Sequence, residues 1–359
     1  MIELNNYKTK LILSATAVIA VVAVFFYSPE TMLSGVRKGL SICGSTVIPS
    51  LFPFTVLADY VISSGLADGF GSSAKRLTAK IFNLPGCCAS VIIISLFAGF
   101  PVGAKMTEQL ILSGRITEKQ GSRLLTFCVN AGPAFVISSV GVAMLSSFSA
   151  GIIIYVSLCF ASLLIGIISG FLSKRRVKSE NEGELKKIGE SFSHGNLTDS
   201  VTRATQTMLG ICAWVILFMC ISSYFRLLPL PETAKNIASM VGEVTDGCMI
   251  ASERYPAFVL AAVTGWSGLS VHCQIMSAIK AAKMNIFVFW SARVLNALLS
   301  GAAAFVLFKI FPCDVQTFST AANVLAKPYS VSVPASAAML IMGAFAIMDL
   351  QGRKNCDTI

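Results

Sequence analysis

The chain has 359 residues, 55% of them apolar and 13% charged, with a mean hydropathy of +0.74. Soluble domains carry about 25% charged residues; a chain with so few cannot cover a water-facing surface, so its bulk faces lipid, which excludes a cytosolic enzyme, a disordered protein and a secreted disulfide scaffold. The net charge of +10 does not argue for a nucleic-acid partner, because the lysines and arginines lie in short stretches between apolar runs and form no basic domain.

Residues 11–27 are an uncharged run preceded by Lys8 and Lys10. The run exceeds a signal-peptide core of about 7–15 residues and lacks a small-residue cleavage site, so it reads as a retained first span. The stretches 32–40, 74–81 and 235–241 read as amphipathic helices lying in the interface. Residues 43–64 can cross a bilayer but hold Pro49 and Pro53, which predicts a bend. The segment 86–104 breaks at Gly99-Phe100-Pro101-Val102-Gly103, and 124–145 breaks at Asn130-Ala131-Gly132-Pro133. An ordinary span, 150–172, leads into a basic connector, 173–203. In the second half, 204–224 is a clean span and 255–279 is interrupted at Gly265-Trp266-Ser267-Gly268. Residues 286–307 cross with Arg293 and Asn296 inside, and 330–348 end the membrane region.

One offset of 166 relates Gly99 to Gly265, Phe100 to Trp266, Asn130 to Asn296 and Ala131 to Ala297. The matched residues are helix breakers, the pattern of an internal repeat. The expected division is a first span and interfacial segment (1–39), a first repeat (40–172), the connector (173–203), a second, inverted repeat (204–349) and a tail (350–359). If 86–104 and 255–279 are re-entrant hairpins, the chain crosses seven times. With an inside amino terminus, the cytoplasmic segments then hold 18 of the 28 Lys and Arg, against 9 outside, as the positive-inside rule requires.

Unpaired backbone costs several kcal/mol in hydrocarbon, so broken helices persist only where they are buried in protein or line a wet cavity. Four matched breaks converging near the midplane would form a solute site with half-helix amino ends turned toward an anion or a polar ring. Lys105 follows the first break, His272 follows the second, and Arg293 shares a helix face with Asn296. Plainer readings stand beside these. Lys105 can snorkel to an interface, His272 can be a neutral packing residue, Arg293 can neutralise Glu253 or Asp246, and the asparagines can join helices. Asp59 reads as one half of an interfacial ion pair rather than a proton carrier. The eleven cysteines include no CxxC pair and read as small packed thiols, with no metal site. Ser270 and His272 point to different helix faces, and no HExxH, GxSxG or GxxxxGK[ST] motif occurs, so neither an enzyme nor ATP-driven transport is expected.

The stretches Val47-Ile48-Pro49-Ser50-Leu51-Phe52-Pro53-Phe54, Ala98-Gly99-Phe100-Pro101-Val102-Gly103-Ala104-Lys105, Asn130-Ala131-Gly132-Pro133-Ala134-Phe135 and Gly268-Leu269-Ser270-Val271-His272-Cys273-Gln274 resemble the sporulation integral membrane protein family of the YlbJ type. That family carries nucleoside recognition, or Gate, domains. The resemblance implies an all-α polytopic membrane protein: an inverted repeat of Gate-type units with two re-entrant hairpins, similar to concentrative nucleoside transporters. It also implies movement of a small solute during spore formation, in a membrane surrounding the forespore. Dipicolinic acid leads as cargo; a nucleoside, or a non-transporting structural role in spore assembly, is the alternative. The residues expected to bind solute are Gly99, Pro101, Gly103, Lys105, Asn130, Gly268, Ser270, His272, Arg293 and Asn296. Expected partners are the small-molecule solute and the lipid bilayer, with a coupling ion or proton and a homo-oligomer left open. No cofactor is expected.

Overall fold

The computed structural model describes residues 25–64, 72–173, 197–279 and 285–313, with 15–16, 19 and 22–23. Most of the expected first span, the final span at 330–348, most of the connector and the tail lie outside the described residues. Within them every regular element is a helix.

The first helical run is continuous. Helix α1 (Pro29–Ile42) passes through a π turn (Cys43–Val47) into α2 (Ile48–Ser63). Proline cannot donate to the carbonyl four residues back, and its ring crowds that carbonyl. The π turn, closed by Ile48 N–H to Cys43 O, precedes Pro49 and absorbs the misfit. The run from Pro29 to Val61 is long and apolar enough to span. Residues 32–40 are therefore not a separate surface helix but the first turns of this one. They lie against α9, where a Cβ on Gly35 or Gly39 would come within 2.7 or 2.8 Å of the Cα of Cys220 or Ile216, a close small-residue seam.

Helix α3 (Ser72–Ile81) is the short amphipathic element expected there. Next come α4 (Cys88–Ala98), α5 (Phe100–Leu112) and α6 (Glu118–Leu125). Helix α6 opens on a reciprocal cap between Thr117 and Gln120. Residues 126–133 are irregular, and α7 (Ala134–Met144) is π-helical throughout. Helix α8 (Phe148–Leu172), capped by Ser147, is the most apolar span, with a mean hydropathy of 2.6.

The second half holds α9 (Leu197–Phe225), α10 (Glu232–Gly242), α11 (Val244–Arg254), α12 (Ala257–Trp266), α13 (Gly268–Ala278) and α14 (Ile286–Ile310). The stretch 235–241 is helical as expected, within α10. Helices α8, α9 and α14 and the run Ala257–Ala278 join Pro29–Val61 as five candidate spans. Their outward faces carry Phe160, Phe171, Leu209, Leu298 and Phe305, all exposed. Such a surface is tolerable in lipid and not in water. The protein is a multi-pass, all-α membrane protein.

The main core draws Phe100 and Ala104 from α5, Val129 and Ala131 from the irregular stretch, and Phe135 and Val140 from α7. Val271 and Ile275 of α13 and Phe289 of α14 join them. Helix α14 packs between α8 and α12, and α13 packs against both α5 and α9. Segments distant in sequence thus meet in one interior.

Candidate functional site

The two expected interruptions are built differently. At Gly99 the backbone adopts φ 87°, ψ 176°, a region essentially reserved for glycine, and Pro101 follows in the first turn of α5, where its missing N–H is harmless. The chain folds back on itself here, because a Cβ on Gly103 would lie 2.9 Å from the Cβ of Ser95. Residues 95 and 103 would be about 12 Å apart along a straight helix. Helices α4 and α5 are therefore the arms of a hairpin with Gly99 at its tip. The same Gly103 Cβ would fall 2.0 Å from Cys128 O, so the irregular stretch lies directly on the hairpin.

The second break falls at Ser267, two residues beyond Gly265, and forms an elbow. Ser267 and Gly268 both have positive φ (76° and 75°). From there α12 runs to α14 and α8, while α13 runs to α5 and α9. Gly268 has no room for a side chain, since its Cβ would meet Val244 N at 2.8 Å. Trp266 Nε1 donates to Val241 O at 3.0 Å, fixing the elbow on the α10–α11 junction. The fourth expected break is absent: α14 continues without interruption through Arg293 and Asn296. A single asparagine amide facing inward leaves helical hydrogen bonds intact, whereas Asn130 is followed by Gly132 and Pro133.

Asn130 and Asn296 nevertheless meet. Ser162, in the middle of α8 and fully buried, donates its hydroxyl to Asn130 Oδ1 and accepts from Asn296 Nδ2 at 3.0 Å. Asn130 Nδ2 donates to Phe127 O at 2.8 Å. Three residues before Asn296, the Arg293 guanidinium donates Nη1 to Val129 O at 2.5 Å and Nη2 to Thr126 O at 2.6 Å. The side chain is 1% exposed. It thus ties α14 to the irregular stretch of the first half and pairs with neither Glu253 nor Asp246; Asp246 bonds Lys38 instead. Phe289 lies under the guanidinium at 5.7 Å and meets the His272 ring at 5.2 Å. His272 Nε2 is 2.9 Å from Trp266 O.

Of the ten expected residues, Asn130, His272, Arg293 and Asn296 are buried polar side chains linked in the interior where α8, α13, α14 and the irregular stretch meet, and Ser270 is buried on another face of α13. Gly99, Pro101, Gly103 and Gly268 shape the hairpin and elbow around them. Lys105 stands apart: it is exposed and donates to Thr207 Oγ1 of α9 at 2.5 Å. Asp59 is in an ion pair with Arg203 at 2.7 Å, as expected. Three polar atoms of the interior, His272 Nδ1, Arg293 Nε and Asn296 Oδ1, have no hydrogen-bond partner among the described residues, and neither has Ser270 Oγ. Burying such atoms unpaired costs about 1–3 kcal/mol each, so the arrangement is suited to polar company from outside the chain.

The sequence reading overlooked Ser162, one hydroxyl in an apolar span, and Phe289, which periodicity marks only as core. It also overlooked Glu243, whose carboxylate caps α11 by accepting from Asp246 N at 2.7 Å. No helix was expected over 244–254, so an acidic residue at its start carried no signal in the sequence.

A buried polar interior held by a hairpin, an elbow and an irregular stretch, inside a shell of apolar helices, defines a class of polytopic membrane protein built around a polar centre. Among known proteins, the chain is similar to a YlbJ-type sporulation integral membrane protein. It is 24% identical over 345 residues to the sporulation integral membrane protein YlbJ of Bacillus subtilis (strain 168), covering 85% of each chain. It is also 35% identical over 97 residues to the uncharacterized protein MJ0880 of Methanocaldococcus jannaschii, covering 26% of this chain and 30% of that one. No family model matches the chain, and no solved structure matches it.

Proposed function

We propose that the chain is a membrane transporter that moves a small anionic or polar aromatic solute during spore formation, with dipicolinic acid as the cargo. One observation carries the reading. The interior where the hairpin, elbow and irregular stretch meet holds a buried arginine bonded to carbonyl oxygens and, among the described residues, to no carboxylate; its own Nε, His272 Nδ1 and Asn296 Oδ1 have no partner among those residues. A fixed positive charge in low dielectric favours an anion over a neutral nucleoside. The link to spore formation comes from the likeness to YlbJ, whose printed name speaks of sporulation.

In this reading the α4–α5 hairpin is re-entrant and the two halves are inverted repeats whose solute site lies between them. The meeting of Asn130 and Asn296 on Ser162 supports that symmetry. The site then consists of Asn130, Ser270, His272, Arg293 and Asn296, with Lys105 at its approach.

The test is a thermal-shift screen of the purified chain against dipicolinate, nucleosides and short dicarboxylates, followed by uptake into liposomes. Dipicolinate should raise the melting temperature, and Arg293→Gln, compared with its own solute-free melting temperature and at matched amounts of folded protein, should abolish both the shift and uptake. Stabilisation by nucleosides alone would replace the cargo. A protein that moves no solute, together with a transport-site variant that still supports spore assembly, would favour a structural role.

A further inference from the structure

Away from the polar interior, a second group of charges surrounds a cavity of about 210 Å³. Lys38 of α1, Arg226 at the end of α9, Asn236 of α10, and Asp246, Glu253 and Arg254 of α11 line it. Asp246 is 1% exposed; its Oδ1 bonds Lys38 Nζ at 2.5 Å, and its Oδ2 has no partner among the described residues. Glu243, 2% exposed, stands three residues before Asp246 and is not among the residues that line the cavity. Its carboxylate accepts from the Asp246 backbone N–H, and its own backbone forms the seat against which Gly268 of the elbow is pressed.

The geometry is unusual for an ionised pair. Two carboxylates three residues apart are fully buried, and the ammonium of Lys38 serves only the outer one. The groups within electrostatic reach of Glu243 are Asp246 and Cys248 on its own helix and Cys43 of the π turn, with Lys38 acting through Asp246. Helix α10 brings only Lys235 and Glu232, which bond each other at 3.4 Å. Among the other packed helices, α12 and α7 bring no titratable group and α13 brings His272 and Cys273. Among the described residues no cation stands on Glu243 itself. A buried carboxylate in that position takes up a proton rather than remain charged.

We propose that Glu243 is a proton-binding site reached from the polar cavity through Asp246, and that its protonation couples a proton to the position of the α12–α13 elbow. The unpartnered Asp246 Oδ2 receives the proton at the cavity wall and passes it inward to the Glu243 carboxylate. With Glu243 neutral, Gly268 stays seated and Trp266 stays bonded to Val241. When the proton leaves, the charge left at the α10–α11 junction draws water or a cation in and lifts the elbow. Burial pushes the Glu243 carboxyl up to about 7, with the nearby Asp246 charge adding to it and the backbone N–H bonds opposing it. The assignment deepens the transporter reading and rests on it for its purpose, but proton binding can be measured without any solute.

The experiment is an infrared titration of the purified full-length chain across neutral pH, comparing the wild type with Glu243→Gln and Asp246→Asn. Glutamine retains the acceptor that caps α11, so the fold is kept, and each variant's melting temperature is measured alongside. In the wild type one carboxylic acid C=O band should titrate near neutrality. The band should be lost in Glu243→Gln and shifted to lower pH in Asp246→Asn, where the like charge is gone. No such band, or one that survives Glu243→Gln, would overturn the proposal. Solute uptake that proceeds without a proton gradient and is unchanged in Glu243→Gln would overturn the coupling while leaving transport intact. A titrating Glu243 in a chain that moves none of the solutes would uphold the proton site and defeat the transporter reading.

Discussion

Replacing Ser162 with alanine tests whether Asn130 and Asn296 are joined through one hydroxyl. The change removes the hydroxyl that donates to Asn130 Oδ1 and accepts from Asn296 Nδ2. Both amides are buried, at 6% and 1% exposure, so water does not simply replace the serine. Two scales bound the loss. Each stranded buried polar atom costs about 1–3 kcal/mol, or about 2–6 kcal/mol for the pair. Interhelical hydrogen bonds within bilayers average about 0.6 kcal/mol because the unfolded state also finds partners, which sets a floor of about 1 kcal/mol. The sharper quantity is the coupling. Once Ser162 is alanine, Asn296→Ala removes an amide already stranded and should cost less than it does in the wild type, by at least about 0.5 kcal/mol. Reversible unfolding in mixed micelles of the wild type, both single variants and the double variant gives that number. Losses that simply add would show that Asn130, Ser162 and Asn296 do not act as one network.

Gly103→Ala should push the irregular stretch off the hairpin, because its Cβ would lie 2.0 Å from the backbone oxygen of Cys128. The expected cost is at least about 1–3 kcal/mol, read as a lower melting temperature, and an unchanged value would refute the close approach. Arg293→Lys should recover little of what Arg293→Met loses in thermal stability, since an ammonium lacks the planar fork that spans Thr126 O and Val129 O; a lysine variant as stable as the wild type would argue against the bridging role. The Glu243 carboxyl, raised to about 7 from its ordinary 4.5, makes the folded chain hold a proton that the unfolded chain has released across that window. Its contribution to stability is therefore full in acid, is lost as pH rises to about 7 and levels off above, a fall of about 3 kcal/mol. Glu243→Gln should remove that slope in a pH series of melting temperatures, and parallel slopes in the two proteins would refute it.

Much of the fold was written in hydropathy and in helix breakers. The spans α8, α9 and α14 follow from uncharged length alone, and Gly99, Pro101 and Pro133 mark breaks because glycine and proline carry their backbone constraints wherever they stand. The limits are equally physical. Residues 32–40 looked like an interfacial helix because Arg37 and Lys38 punctuate them. Gly35 and Gly39 allow that face to press against α9, and Asp246, distant in sequence, neutralises Lys38. The match of Asn130 with Asn296 pointed to a contact but misled about backbone, since asparagine alone does not interrupt α14. Arg293 was visibly out of place in a span; its partners were not visible, because carbonyl oxygens leave no mark in a sequence. Ser162 and Glu243 became informative only when packing brought other polar groups to them.

The carbonyl grip on Arg293 has a consequence for how the molecule senses acidity. A guanidinium balanced by a carboxylate loses its counter-charge when that carboxylate is protonated, and its pull on an anion then varies with the medium. Peptide oxygens do not titrate, so the hydrogen bonds that hold this guanidinium do not depend on the protonation of a carboxylate. An acid-sensitive response would then have to come from a different group, so the tether between the helices and any proton switch would be separate parts of the fold.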